Sequence, residues 1–197
     1  NAWANMDLTD NNSVTLYDAD DAASTKDADK EFWEYDLTLA YALPLKGPVS
    51  ASIGVIQYTF PVLGTSTREV YGTLAANTLL TPTLSVYYDF DAAEGFYGNF
   101  GIGHSFTLAE PLTLGLNASI GYGTADYNDF YFGVDDDAMN DVNVGATLGY
   151  AATKALTISA SVTYTTLPDG DISDGALAIG YDDDSIVVYG VAASYNF

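Results

Sequence analysis

Phe32-Trp33-Glu34-Tyr35-Asp36-Leu37-Thr38-Leu39-Ala40-Tyr41-Ala42-Leu43 is the stretch on which the fold turns. In an extended strand successive side chains point to opposite faces. One face therefore carries Trp33, Tyr35, Leu37, Leu39, Tyr41 and Leu43, and the other Glu34, Asp36, Thr38, Ala40 and Ala42. The apolar face has aromatic residues toward both ends. A strand that crosses a bilayer needs about 9–11 residues with this alternation.

The same period recurs along the chain. Residues 83–90 set Leu84, Val86, Tyr88 and Phe90 against Ser85, Tyr87 and Asp89. Residues 112–123 set Leu112, Leu114, Leu116, Ala118, Ile120 and Tyr122 against a face of Gly, Ser, Thr and Asn. Residues 141–150 and 156–166 repeat the arrangement, and residues 1–8, 68–77 and 96–107 carry weaker versions. Residues 49–60 begin with Val49, Ala51, Ile53 and Val55 on the apolar face. Apolar parity then passes to Ile56, Tyr58 and Phe60, which predicts a β-bulge near Gly54. The last segment, residues 185–197, alternates Val187, Tyr189, Val191, Ala193 and Tyr195 and ends on Phe197.

The connections alternate in character. Those at 44–48, 78–82, 109–111 and 151–155 are short and nearly uncharged, whereas those at 9–31, 61–67, 91–95, 124–137 and 167–184 are longer and mostly acidic or glycine-rich. Short turns at one end and long loops at the other distinguish the periplasmic and extracellular sides of an outer-membrane barrel. The expected fold is all-β: one domain over residues 1–197, an antiparallel transmembrane β-barrel of about ten strands, with a periplasmic C-terminus. About twelve strands are expected if an N-terminal hairpin is missing, because Asn1 opens directly into patterned sequence. A soluble β-sandwich would also alternate, but with a polar outer face and an aliphatic inner one. Here the polar face is small and hydroxylic, and the apolar face is tipped with aromatics.

Composition narrows the function. The 197 residues contain no cysteine, which excludes disulfides and thiolate chemistry. Five basic residues stand against 27 acidic ones, a formal charge of -22. Neutralising nucleic-acid phosphates needs clustered Lys and Arg, so nucleic acid is excluded as a partner. Hydrophobic residues at 48% argue for a folded chain rather than a disordered acidic one. No run of about 18 apolar residues is present, so no transmembrane helix is expected. No signal peptide is visible, and the chain reads as mature or truncated.

Several stretches resemble the TorF-type porin family of bacterial outer-membrane proteins. They are Ala2-Trp3-Ala4-Asn5-Met6-Asp7, Glu34-Tyr35-Asp36-Leu37-Thr38-Leu39-Ala40-Tyr41 and Gly54-Val55-Ile56-Gln57-Tyr58-Thr59-Phe60-Pro61, with Arg68-Glu69-Val70-Tyr71, Pro82-Thr83-Leu84-Ser85-Val86-Tyr87-Tyr88-Asp89 and Gly103-His104-Ser105-Phe106. The resemblance implies an outer-membrane barrel and a pore. In such proteins the Trp-containing segment usually follows an earlier hairpin. The alternating strand ending on Tyr195 and Phe197 resembles the signal read by barrel-assembly machinery.

The chemistry-bearing candidates are acidic. Glu34, Asp36, Glu69, Asp89 and Asp141 fall on the lumen face, with Arg68 and a few strand-end lysines too sparse to offset them. Such a lining favours cations. The bland reading pairs these acids with Tyr71, Tyr87 and Asn99 near the mouth. Asp18, Asp20 and Asp21, Asp135, Asp136 and Asp137, and Asp182, Asp183 and Asp184 cluster in loops. Clustered carboxylates suit Ca²⁺, and Asp169 and Asp171 with Ser173 have the spacing that opens a calcium loop. Gly175 falls one place late for that loop, and Gly180 stands where the closing Glu belongs, so a solvated acidic surface is the ordinary explanation. No other cofactor is expected.

His104 is the single histidine, and the adjacent Ser105 points to the opposite face, so an enzyme is not expected. Trp3, Trp33 and most outward tyrosines read as girdle residues. Tyr71, Tyr87 and Tyr97 are the evident aromatics on the polar face, where a sugar track would need them.

Two functions remain. One is a narrow, cation-leaning passive pore for small solutes. The other is a non-conducting anchor or lattice barrel acting through its outer wall and acidic loops. Expected partners are membrane lipid and lipopolysaccharide, the assembly machinery, and a homo-oligomer or larger envelope assembly.

Overall fold

The computed structural model describes residues 1–6, 13–17, 23–27 and 29–196, the second and third of these stretches by backbone path alone. Its strands are β1 (Ala2–Met6), β2 (Ser13–Tyr17), β3 (Ala23–Asp27), β4 (Phe32–Ala42), β5 (Val49–Phe60), β6 (Thr65–Ala76), β7 (Thr83–Asp89), β8 (Phe96–Ala109), β9 (Leu112–Gly123), β10 (Ala138–Ala151), β11 (Leu156–Thr166) and β12 (Ser185–Tyr195). Helix α1 (Ala125–Phe132) lies between β9 and β10, and α2 (Gly170–Ala178) between β11 and β12. Each helix is about two turns long.

Ten strands form one antiparallel meander in the order β1-β4-β5-β6-β7-β8-β9-β10-β11-β12. Among the described residues β1 and β12 are its edges. Strands β2 and β3 pair with each other as a separate hairpin inside the expected 9–31 loop. No described helix is long and apolar enough to cross a membrane; the candidate crossings are strands, β4 to β12, of 7 to 14 residues.

Packing is inverted relative to a soluble sheet protein. Leu39 is 78% exposed and Val191 84%, and Leu37, Leu116, Val144 and Val162 on the same outer face are exposed as well. The facing set is partly covered, including Asp36, Asn143 and Ser161. An apolar outer belt of this size is accounted for by contact with lipid.

Three expectations need correcting. No bulge occurs at Gly54, because β5 keeps an unbroken register with both β4 and β6. The change of apolar parity is real and lies within one straight strand. Ile56, Tyr58 and Phe60 point inward and line an interior chamber. Trp3 is cross-strand to Asp36, which places it on the inner face rather than in an outer girdle. The connection expected at 61–67 is also tighter than its sequence suggests. Gly64 N–H donates to the Phe60 carbonyl at 2.8 Å, and β6 starts at Thr65. Gly64 takes φ +71°, a conformation that favours glycine.

Candidate functional site

The buried apolar residues of the described chain are Val62, Ala93, Ile172 and Ala176. All four lie at the end of the sheet that carries the long connections. The long loops therefore fold into a cap with its own small core. In α2, Asp169 is the N-cap, its Oδ1 accepting from the backbone N–H groups of Asp171 and Ile172. This end-capping role satisfies donors that a helix start leaves orphaned. Gly175 lets α2 approach α1, since a β-carbon there would stand 2.5 Å from the Phe132 carbonyl oxygen.

Helix α1 is fixed from below. Asn128 has no exposed surface. Its Nδ2 donates to the Gly123 carbonyl at 3.0 Å and to the Asp136 carbonyl at 2.9 Å, and its Oδ1 accepts from Asn140 at 3.1 Å. Asp137 accepts from the Ala125 N–H at 2.7 Å at the helix start. Gly133 ends the helix in the left-handed conformation. Gly95 has no side chain where the backbone of Tyr127 crosses it.

Beneath α1 runs a row of tyrosines. Tyr71 of β6 is cross-strand to Tyr87 of β7, and Tyr87 to Tyr97 of β8. Ring centroids are 5.5 Å apart in the first pair and 6.1 Å in the second. Tyr127 of α1 stacks on Tyr97 at 5.3 Å, and Tyr131, one helical turn on, lies 4.5 Å from Tyr127. Glycines flank the row. A β-carbon at Gly54 would stand 2.6 Å from the Tyr71 ring, and one at Gly121 2.6 Å from the Tyr97 hydroxyl oxygen. Burial raises the phenol pKa of both Tyr127 and Tyr131 above the ordinary value, with neighbouring acids and phenols adding to it. Both stay neutral donors.

The five lumen acids divide into different roles. Glu34 and Glu69 line a chamber of about 590 Å³ together with Tyr58, Tyr87, Tyr97 and the two α1 tyrosines. Glu69 is 6% exposed and accepts from the Tyr58 hydroxyl at 3.1 Å. Asp36 lies across from Tyr58 on the neighbouring strand. Asp141 accepts from the Tyr97 hydroxyl at 2.8 Å and from Asn143 at 2.5 Å. Asp89 is 1% exposed and fully engaged by the Thr67 hydroxyl at 2.6 Å and the N–H groups of Asp91 and Ala92. It holds the β7–β8 connection rather than lining an open lumen. Glu69, Asp141 and Asp89 thus have partners, but they are Tyr58, Tyr97, Asn143 and Thr67, and Asp36 keeps a buried carboxylate oxygen without one among the described residues. Asn99 donates to the Tyr97 hydroxyl instead.

Arg68 does not offset this lining. It lies on the outer face, 3.0 Å from Asp91 and over the Phe90 ring. By strand parity, no Lys or Arg of the described strands β4 to β12 points inward. Toward the short-turn end the inner wall becomes small and polar. A second cavity of about 820 Å³ there is bordered by Gly101, Ser105, Asn117, Ser119 and Thr147.

The loop acids are placed as follows. Asp136 and Asp183 each accept from the next residue's N–H, and Asp184 accepts from Ser173 at 3.4 Å. Asp135, Asp171 and Asp182 are exposed. Among the described residues no three acids or histidines converge on a point that could hold a metal ion. Asp18, Asp20, Asp21 and Phe197 lie outside the described residues, whereas Tyr195 ends β12 on the outer face. His104 packs edge-on against Phe106 on the outer face, while Ser85 and Ser119 lie on the inner one, so the sheet separates them.

Sequence reasoning missed Tyr58, Tyr127 and Tyr131. The switch to Ile56, Tyr58 and Phe60 was a usable signal for the first. Tyr127 and Tyr131, four apart, share one helix face, but nothing in the sequence marks residues 125–132 as a helix over the lumen.

An inverted antiparallel sheet with lipid-type outer residues, short turns at one end and a folded cap at the other defines an outer-membrane β-barrel protein. The chain belongs to the family of MltA-interacting protein MipA, whose model matches residues 6–197. This family and the resemblance to TorF-type porins meet at the level of the outer-membrane barrel. No curated protein matches the chain.

Proposed function

We propose that the chain is a narrow, cation-leaning outer-membrane passage for small solutes, with its loop end extracellular and its C-terminus periplasmic. The observation that carries this reading is the inner wall itself. Glu34 and Glu69 line the chamber, and no Lys or Arg of β4 to β12 shares their face. Carboxylates in a confined, partly desolvated passage act on ions more strongly than in bulk water. The α1–α2 cap narrows the mouth, and the small residues toward the short turns leave room below. The test is a reversal-potential measurement in planar bilayers under a KCl gradient. The expected result is a small conductance with cations preferred. Anion preference would overturn it.

The family's description supports a second reading. It names interaction with MltA. In that reading the barrel is a non-conducting anchor that binds its partner through surfaces outside the lumen. A protein that gives no conductance but binds purified MltA would establish it.

A further inference from the structure

We propose that the tyrosine-walled chamber beneath α1 is a binding site for a small organic ammonium ion. Five phenol rings, Tyr58, Tyr87, Tyr97, Tyr127 and Tyr131, face a space of about 590 Å³ that also holds the carboxyl groups of Glu34 and Glu69. That volume is of the size that small-molecule sites occupy. Aromatic rings attract a cation through their electron-rich faces, and cages of them recognise alkylated ammonium groups. Carboxylates supply the opposite charge.

Ring faces and carboxylates together favour this class over a neutral sugar. A sugar needs donors as well as acceptors around its hydroxyls. In the chamber the Tyr58 hydroxyl is given to Glu69, the Tyr97 hydroxyl to Asp141, and the Asn99 amide to Tyr97. Two of the five phenols are spent on the protein's own acids, and each phenol that donates to a carboxylate becomes more electron-rich. An alkylammonium ion asks for π-faces and negative charge, and the chamber supplies both. A hydrated metal ion would gain little from the rings, and no three acids converge to strip its water. Gly121 and Gly95 clear the space in which Tyr97 and Tyr127 sit.

This inference rests on the proposed reading only in that solutes reach the lumen; it needs binding, not conduction. The experiment is isothermal titration of the full chain in a polyoxyethylene detergent, which carries no ammonium headgroup. The probes are tetramethylammonium, its uncharged analogue tert-butanol, and maltose. Saturable binding of tetramethylammonium alone is expected, with affinity reduced about tenfold or more in the E34Q/E69Q double variant and in Tyr127→Ala. Tyr127→Phe, which keeps the ring, retains binding, and heat-dependent gel mobility reports that each variant is folded. Equal binding of tert-butanol, binding of maltose in place of the cation, no saturable binding, or undiminished binding by folded E34Q/E69Q would each overturn the site. Binding without bilayer conductance overturns the passage and supports the site. Conductance without binding does the reverse.

Discussion

Asn128 of α1 and Asn140 of β10 meet amide to amide, 3.1 Å apart, with less than 2% of either residue exposed. This contact joins the cap to the barrel wall. Its position depends on Gly123, whose missing side chain leaves the space that the Asn128 amide fills. A buried amide of this kind is worth most for what its removal leaves behind. The Gly123 and Asp136 carbonyls would lose the donor that satisfies them, and each buried unsatisfied group costs about 1–3 kcal/mol.

Replacing Asn128 by Ala should therefore free the cap without unfolding the barrel. Hydrogen exchange across residues 125–137 should accelerate, while β8 and β9 keep their protection. Measured by mass spectrometry, unchanged exchange in α1 would show that the Tyr97–Tyr127 stack holds the helix unaided.

Gly54 and Gly72 occupy neighbouring strands and differ in what surrounds them. A β-carbon at Gly54 would lie 2.6 Å from both the Leu39 carbonyl oxygen and the Tyr71 ring, whereas at Gly72 its nearest neighbour is 4.0 Å away. Gly54→Ala should lower stability to urea unfolding in micelles by about 1–3 kcal/mol, the usual range for overpacking. Gly72→Ala should be neutral or slightly stabilising. Gly54 faces inward against Tyr71 and Gly72 outward into open space, so equal effects would contradict the placement of Tyr71.

These residues also show what the sequence could and could not convey. Strand number and the outward set were legible because lipid contact imposes a strict period of two on Leu37, Leu39, Val144 and Val191. The inner wall is under no such rule. Ile56, Tyr58 and Phe60 break the pattern where they line a chamber with Tyr127 and Tyr131 of the cap, and a bulge is the local explanation for a lining assembled from segments far apart in sequence. Asp169 and Asp171 had metal-like spacing because an N-cap with an acidic first turn uses the same residue types. Glu69 and Asp89 face each other across neighbouring strands, yet Glu69 accepts from Tyr58 and Asp89 from Thr67, which only the folded chain reveals.

Alkaline titration should expose the cap's tyrosines. Tyr127 and Tyr131 carry pKa values raised mainly by burial. In the unfolded chain each would lose its proton near pH 10, so the stability they contribute is fully present below that pH. It falls as pH rises from 10 toward the folded values, because the folded cap must hold protons that the unfolded chain has released. Tyrosinate absorbance of the native protein should show a late phase whose amplitude falls in a Y127F/Y131F variant. Exchange of the α1 amides should rise over the same interval, after correction for the intrinsic rate.

Ion selectivity separates the chamber acids from the loop acids. A charge about 10 Å from a permeating ion, in a passage of effective dielectric about 40, contributes about 0.8 kcal/mol, or roughly fourfold in local cation concentration. Neutralising Glu34 and Glu69 together should therefore lower the cation-to-anion permeability ratio by roughly that factor or more. The effect should persist further into concentrated salt than that of exposed loop charges, because both groups line the chamber and Glu69 is buried. Asp135 and Asp136 are exposed on the cap. Their replacement by Asn should change the ratio only at low ionic strength, since the screening length shrinks from about 30 Å at 0.01 M to about 3 Å at 1 M. Reversal potentials at two salt concentrations distinguish the sites. If D135N/D136N reproduced the E34Q/E69Q effect at high salt, selectivity would belong to the vestibule, and the passage would run outside the tyrosine-lined chamber.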